Sequence, residues 1–390
     1  MARHPELQGF PSDPVIAKLP DSVQVFVVGG AVRDALLNRT NSDKDWVVVG
    51  ASVENMLAAG FTPVGADFPV FLHPTSHEEY ALARTERKSG HGYKGFTFHA
   101  DPAVTLEEDL ARRDFTVNAM AMNAHGDLID PYGGYKDLQE KLMRHVSPAF
   151  VEDPLRVLRL ARFLARFLDF SVAEETMALC RELRNSGELK HLVAERIFAE
   201  LNKGMGEEKP SRMIKLIRKI NAWDELARGC TVPFSAFDKP EYDCLNSLST
   251  AESRWVYSLG FFLDIAQIKA LAKAWRLPRN IEDLSVTVHQ CLIFLKLRQT
   301  DPGSFARFFN QVDLYRKPSR LQHVNRLVEQ INGTGPVHAF VERAVAELEQ
   351  GHYKRFLGDK ITNIQPGEQV AEVAANARQA WVTELHSRYF

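Results

Sequence analysis

The chain has 390 residues, too many for one ordinary core, so two or more domains are expected. Hydrophobic residues make up 45% and charged residues 25%, the balance of a soluble globular protein, and a net charge of −2 argues against a protein that coats nucleic acid by bulk charge alone. The four cysteines are far apart, MARHPELQGFPSDP has no apolar signal segment, and no uncharged run approaches the ~20 residues that span a bilayer, so a cytoplasmic protein with no membrane partner is expected.

Residues 1–22 contain Pro11, Pro14 and Pro20 and read as an extended or loosely packed lead-in. Val23–Val28 is a β-branched apolar run that predicts a strand; it ends at Gly29-Gly30 and passes into a helical pattern over Ala31–Leu37. Asp45–Val49 predicts a buried strand, Ser52–Ala59 a short helix, and Val70–His73 and Glu79–Arg84 two further strands. Thr85–His99 is polar, carries Gly90, Gly92 and Gly95, and reads as a mobile loop with a strand at its end. Leu106–Asn118 is helical in pattern, Ala119–Asn123 is a strand, and Ile129–Gly134 is a turn. From about Lys136 strand signals fade. Helical periodicity then runs to the end, punctuated by prolines such as Pro148, Pro154, Pro210, Pro302 and Pro366. The predicted class is α+β: a small mixed-sheet head over 23–137, an all-helical neck over 138–225, and a helical body and tail over 226–390.

Asp43 and Asp45 flank Lys44 at the mouth of the 45–49 strand. Residues i and i+2 of a strand share a face. Two carboxylates so close are stable together chiefly with a cation between them. Such hard oxygen donors suit Mg²⁺, which keeps water and substrate phosphates as further ligands. Taken alone, Asp-Lys-Asp is a solvated turn. The Gly29-Gly30 turn, about a dozen residues earlier in the same strand–helix–strand unit, changes that reading. Its backbone amides can approach an anion at a helix start, and Arg33 one turn in can add a charge-assisted contact. Glu78 and Glu79 would point to opposite faces, so at most one serves the site, and Glu79 is the candidate third metal ligand.

Further along, Asn118 is placed to brace Asp114 from four residues away. Pro154 suits a first helical turn, with Asp153 near its N-cap and Arg156 on the same face. Arg156, Arg159, Arg162 and Arg166 form one helix stripe in which few acids interleave, so an anion is expected to meet it. Arg212, Lys215, Arg218 and Lys219 form a second basic stripe suited to RNA phosphates.

Gly29-Gly30-Ala31-Val32-Arg33-Asp34 followed by Asp43-Lys44-Asp45 resembles the first motif of the bacterial tRNA nucleotidyltransferase and poly(A) polymerase family, within the DNA polymerase beta superfamily. Arg112–Ala119 resembles that family's ribose-reading motif, Glu152–Arg159 its base-reading motif, and Glu195–Leu201 its helix-stabilising motif. The resemblance runs from about Val25 to Lys203. It is closest to the proteobacterial CCA-adding type, in Phe68–His73 and Glu78–Ser89. Beyond Lys203 only Gly358-Asp359-Lys360, with Pro366-Gly367, resembles the family's tail.

The resemblance implies a nucleotidyltransferase head that adds C, C and A to the 3′ end of tRNA from CTP and ATP, releasing pyrophosphate. It implies Asp43 and Asp45 as catalytic metal ligands, and Gly29, Gly30 and Arg33 at the triphosphate. Arg113 and Asp114 would contact ribose and phosphates, and Asp153 and Arg156 would act as a protein template for the base. Arg159 and Arg162 would take part in base and phosphate binding. Arg84–Phe96, with Arg87, Lys88 and Lys94, would be a flexible element for the switch from C to A. A CC-only, A-only or poly(A)-adding enzyme shares these motifs. A non-catalytic RNA-binding scaffold would have no need of two facing acids. GxxxxGK[ST] and a GxGxxG after the first strand are both absent, which argues against a small-molecule kinase or a dinucleotide enzyme. No His-Asp dipeptide occurs, so the phosphohydrolase activity that marks some relatives is not expected.

Overall fold

The computed structural model describes residues 2–39, 43–64, 70–88, 96–233, 235, 237, 239–362 and 369–390. They fall into two units, Met1–Ile197 with Leu216–Leu226, and Phe198–Lys215 with Ala227–Phe390. Phe68, Ser89, Gly90, Gly92, Lys94, Gly95, Pro366 and Gly367, singled out above, lie outside the described residues, as do the side chains of Arg87 and Lys88.

The first unit is built on an eight-stranded mixed sheet. Its strands are β1 (Ala2–Arg3), β2 (Gln24–Val28), β3 (Asp45–Val49), β4 (Thr62–Val64), β5 (Val70–Leu72), β6 (Glu79–Leu82), β9 (Ala121–Met122) and β10 (Asp127–Ile129), in the spatial order β1-β10-β9-β2-β3-β6-β5-β4. The β-branched and aromatic residues of β2 and β3 suit a pleated surface packed on both sides. Phe26, Val28 and Val47 join Ala83, Val104, Leu110, Ala119 and Ala121 in one core. Trp46, which alternation sends to the other face, stacks on Tyr80 at 5.0 Å. β2 and β3 run antiparallel with Val28 opposite Asp45, and β3 and β6 run parallel with Asp45 opposite Glu79.

Around the sheet lie α1 (Gly30–Leu36), α2 (Val53–Ala59), α3 (Leu106–Ala111), α4 (Gly134–Gln139), α5 (Leu155–Arg166) and α6 (Glu174–Asn185). Ser52 and Asn55 cap α2 reciprocally, and Thr105 and Glu108 cap α3 in the same way.

Four expectations are corrected. The lead-in is not loose: β1 pairs with β10, Leu7, Val15 and Leu19 are buried, and Phe10 packs edge-on against Trp46. The 85–99 segment ends in the expected strand, β8 (Phe96–Ala100), but a second strand, β7 (Arg84–Lys88), pairs antiparallel with it, because backbone ladder bonds do not require an apolar side-chain pattern. The 106–118 helix stops at Ala111, and Thr116–Asn118 is a separate 3₁₀ turn after an extended Phe115. A two-residue parallel pair, β11 (Leu142–Met143) with β12 (Ser171–Val172), also interrupts the stretch read as all-helical.

Beyond these, α7 (Ala194–Gly206), α8 (Pro210–Lys219) and α9 (Trp223–Leu226) lead into the helices of the second unit. These are α10 (Ala251–Gly260), α11 (Ile265–Trp275), α12 (Arg279–Leu297), α13 (Pro302–Gln311), α14 (Pro318–Asn332), α15 (Pro336–Glu349), α16 (His352–Thr362) and α17 (Val370–Tyr389). Their core is aromatic, with Trp255 against Trp275 and Phe305 against Phe340. Prolines at the first turns of α13, α14 and α15 mark those starts, where a missing N–H costs nothing. Among the described residues no helix is long and apolar enough to cross a membrane.

Candidate nucleotide-binding and catalytic site

The turn between β2 and α1 holds Gly29 at φ +71°, a conformation that a Cβ disfavours. A Cβ there would also lie 2.9 Å from Nη1 of Arg113. The Gly29 amide donates to the Met120 carbonyl at 3.1 Å, so this glycine supplies the bend and not a free N–H. Beside the turn opens a pocket of about 460 Å³ lined by Gly29, Gly30, Arg33, Asp45, Arg112, Arg113, Asp114, Asn118, Asp153, Leu155, Arg156, Arg159, Arg162, Phe163, Arg166 and Arg196. All the nucleotide-binding candidates therefore meet at one concavity, with Asp45 on its wall.

Asp43 lies just ahead of β3 and borders an adjoining concavity of about 550 Å³, lined by Asp43, Lys44, Asp45, Ser76, His77, Glu78 and Glu79. Asp45 belongs to both spaces. Protein packed around it pushes its carboxyl above the ordinary range, Arg113 pulls it down, and the charge of Asp43 pushes it up again. Glu78 is tied to the strand beside it, its Oε2 accepting from Trp46 Nε1 at 3.2 Å. Glu79 is exposed and sits opposite Asp45 in the ladder. Among the described residues no three His, Cys, Asp or Glu side chains gather as a metal cage. Two neighbouring acids, one with its proton affinity raised first by burial and further by the charge of the other, fit an open hard-cation site that leaves ligand positions to water and phosphate.

Of the four stripe arginines of α5, Arg159 and Arg166 meet carboxylates from elsewhere in the chain. Arg159 Nε donates to Asp114 Oδ2 at 2.7 Å, and Arg166 Nη2 to Asp34 Oδ2 at 2.9 Å. Arg156 donates to the carbonyls of Ala149 and Arg112. Arg162 lies 4.6 Å from the Phe163 ring centroid. Arg33, only 3% exposed, donates to Asp34 Oδ1 at 2.8 Å and to Asn118 Oδ1, and its guanidinium lies over Phe163 and Phe167. Asn118 in turn donates to Asp114 Oδ1 at 3.1 Å, the brace expected from the spacing. A continuous chain of contacts thus runs Arg166, Asp34, Arg33, Asn118, Asp114, Arg159. Burial pushes the Asp114 carboxyl up, but Arg159 and the Asn118 hydrogen bond win and hold it at about 2.

Asp153 accepts from the Leu155 amide at 3.1 Å and from Arg196 Nη2 at 3.1 Å. Fully buried Asp109 gathers Arg112 at 2.7 Å and Arg113 at 3.3 Å. Asp34, Asp109 and Arg196 were not chosen from sequence. Asp34 stood inside the first motif and Arg196 inside the helix motif, so their letters were visible, but not their partners. In the second stripe Lys215 pairs with Asp243 at 2.8 Å, so one of its cations already has a protein partner.

Residues 25–144 match the family described as the Poly A polymerase head domain, and 169–230 match the probable RNA and SrmB- binding site of polymerase A. The CCA-adding enzyme of Pseudomonas putida (strain W619) is 43% identical over 370 residues, covering 92% of this chain and 98% of that one. The Multifunctional CCA protein of Dechloromonas aromatica (strain RCB) is 60% identical over 225 residues, and that match spans 57% of this chain and just 55% of the relative's length. Among solved structures, the Bacillus stearothermophilus CCA-adding enzyme in complex with CTP has the same fold, with a TM-score of 0.63 at 22% identity over 96% of each chain. The Thermotoga maritima CCA-adding enzyme complexed with tRNA_CCA gives 0.59 at 23% identity over 94% of this chain and 90% of that one.

Proposed function

We propose that this chain, which belongs to the CCA-adding enzyme family, completes the 3′ end of tRNA with C, C and A drawn from CTP and ATP. The observation that carries this reading is Asp45 lying at once beside its fellow acid Asp43 and on the wall of an arginine-lined pocket that opens at a glycine turn. The 3′-hydroxyl oxygen of the tRNA attacks the α-phosphorus, a new phosphodiester forms, the bond to the β-phosphate oxygen breaks, and pyrophosphate leaves with the electron pair. Asp43 and Asp45 would hold Mg²⁺, which when bound supplies the positive charge that lowers the hydroxyl's pKa and neutralises the leaving pyrophosphate.

The other residues bind and orient. Gly29 shapes the turn, while Gly30 and Arg33 face the triphosphate. Arg113 and Asp114 hold the ribose, with Asn118 fixing the Asp114 carboxylate as an acceptor for a 2′-hydroxyl. Asp153, steadied by Arg196, and Arg156 present the polar edge that a C or A base would meet, and Arg159 and Arg162 add positive charge toward phosphate. The head would be 23–137, the neck 138–225 and the body with tail 226–390, with tRNA bound by shape and backbone through the helical half. A cytoplasmic setting is supported by the four free cysteines.

Incubation with tRNA lacking its last three nucleotides, with CTP alone, ATP alone, and both, tests the reading. Two additions from CTP and a third only with ATP also present support it. Addition of C alone, A alone or a long A tail would assign a partial-activity enzyme.

A further inference from the structure

Ser76, His77, Glu78 and Glu79, from the loop that follows His73, line the concavity that Asp43 and Asp45 also border. That loop is clamped by one imidazole. His73 is 3% exposed, and its Nδ1 accepts the amides of Thr75 at 3.3 Å and Ser76 at 3.1 Å. With Nδ1 accepting, the ring proton resides on Nε2, which donates to Asp13 Oδ1 at 3.3 Å. That same carboxylate oxygen accepts the amides of Val15 and Ile16, so it is itself fixed. The N-terminal strap touches the wall a second time, since Phe10 packs on Trp46 and the Trp46 indole holds Glu78. The strap also packs at Gly9 against the turn at Ala124, where a Cβ would meet the carbonyl oxygen at 2.1 Å. Of these residues Gly9, Phe10, Asp13, Val15 and Ile16 lie ahead of residue 25, where the family match begins.

We infer that Asp13, acting through His73, is a positioning residue that holds the acceptor side of the catalytic carboxylates. The inference rests on the function proposed above, for the nucleotide pocket lies on the other side of Asp45 and leaves this concavity to the incoming RNA end. Asp13 lines neither concavity, so its loss is expected to disturb the RNA acceptor and not the nucleotide.

The test uses the full chain, Asp13→Ala and Asp13→Asn, with tRNA lacking its 3′ nucleotides and CTP. Asp13→Ala should lower kcat/KM for the tRNA about tenfold, as misplacement of an aligning element does, while KM for CTP stays within about twofold. Asp13→Asn keeps an acceptor oxygen for His73 and the two amides, and should recover most of the loss. Hydrogen exchange at the Thr75 and Ser76 amides should quicken in Asp13→Ala and not in Asp13→Asn. Unchanged tRNA kinetics in Asp13→Ala, or equal damage to tRNA and CTP, overturns the role. A parent chain that incorporates no nucleotide sinks the functional reading itself, a result distinct from an active parent whose Asp13→Ala behaves as the parent does.

Discussion

Asp114 and Arg159 are joined by a 2.7 Å hydrogen bond that ties the segment after α3 to the arginine face of α5. Their pairing decides how the site answers to acid. The Asp114 carboxyl is held at about 2, against an ordinary value of 3.8, so its contribution is present above 3.8 and is lost as pH falls toward 2. That depression corresponds to on the order of 2 kcal/mol. Urea unfolding followed between pH 5 and pH 2 should show this loss in the parent chain. Asp114→Asn should start less stable and lose less over that window.

Asp34 holds two guanidinium groups, one of them almost wholly buried. Asp34→Ala leaves Arg33 charged with one partner gone and should cost about 3 kcal/mol of stability, since a stranded buried charge is costlier than the lost attraction. Asp34→Asn keeps one acceptor and should cost less. Equilibrium denaturation of both variants measures the difference.

Gly29→Ala places a Cβ at φ +71° and 2.9 Å from Arg113 Nη1. The backbone strain should cost about 1–2 kcal/mol. The displaced Arg113 should raise KM for CTP more than it lowers stability would explain, which kinetics and melting measured on the same preparation will separate.

Arg196 holds Asp153 with its Nη2 at 3.1 Å. Arg196→Ala should loosen the base-reading acid, so that incorporation of U or G from UTP or GTP rises relative to C, by about tenfold for one lost orienting hydrogen bond to a charged group. Competition assays with mixed nucleotides read this ratio. Arg196→Lys, which cannot fork, should fall between the two.

The parts of this site legible in sequence are those whose chemistry is local. A strand that ends in Gly29-Gly30, two acids at alternate positions before Val47, and an asparagine four residues after Asp114 each declare themselves by spacing. The partners of the α5 arginines do not, because the acids that meet Arg166 and Arg159 stand 132 and 45 residues earlier in the chain. The order of the lead-in was hidden for the same reason: its prolines suggest a loose chain, yet Leu7, Phe10 and Asp13 find partners on β-strands and loops far along the sequence. Strand β7 was hidden, although β8 was not, because its pairing is carried by backbone bonds between Arg84–Lys88 and Phe96–Ala100, with no apolar alternation in 84–88 to betray it.

The most direct measurement is nucleotide incorporation by Asp45→Asn, an uncharged near-isostere, on tRNA lacking its 3′ nucleotides, with tRNA binding followed in parallel. Incorporation should fall by at least about a thousandfold while tRNA affinity stays within about twofold, because the carboxylate acts on the reaction and not on the RNA's docking. Incorporation at the parent rate would contradict the assignment of Asp43 and Asp45 as the centre of this chemistry.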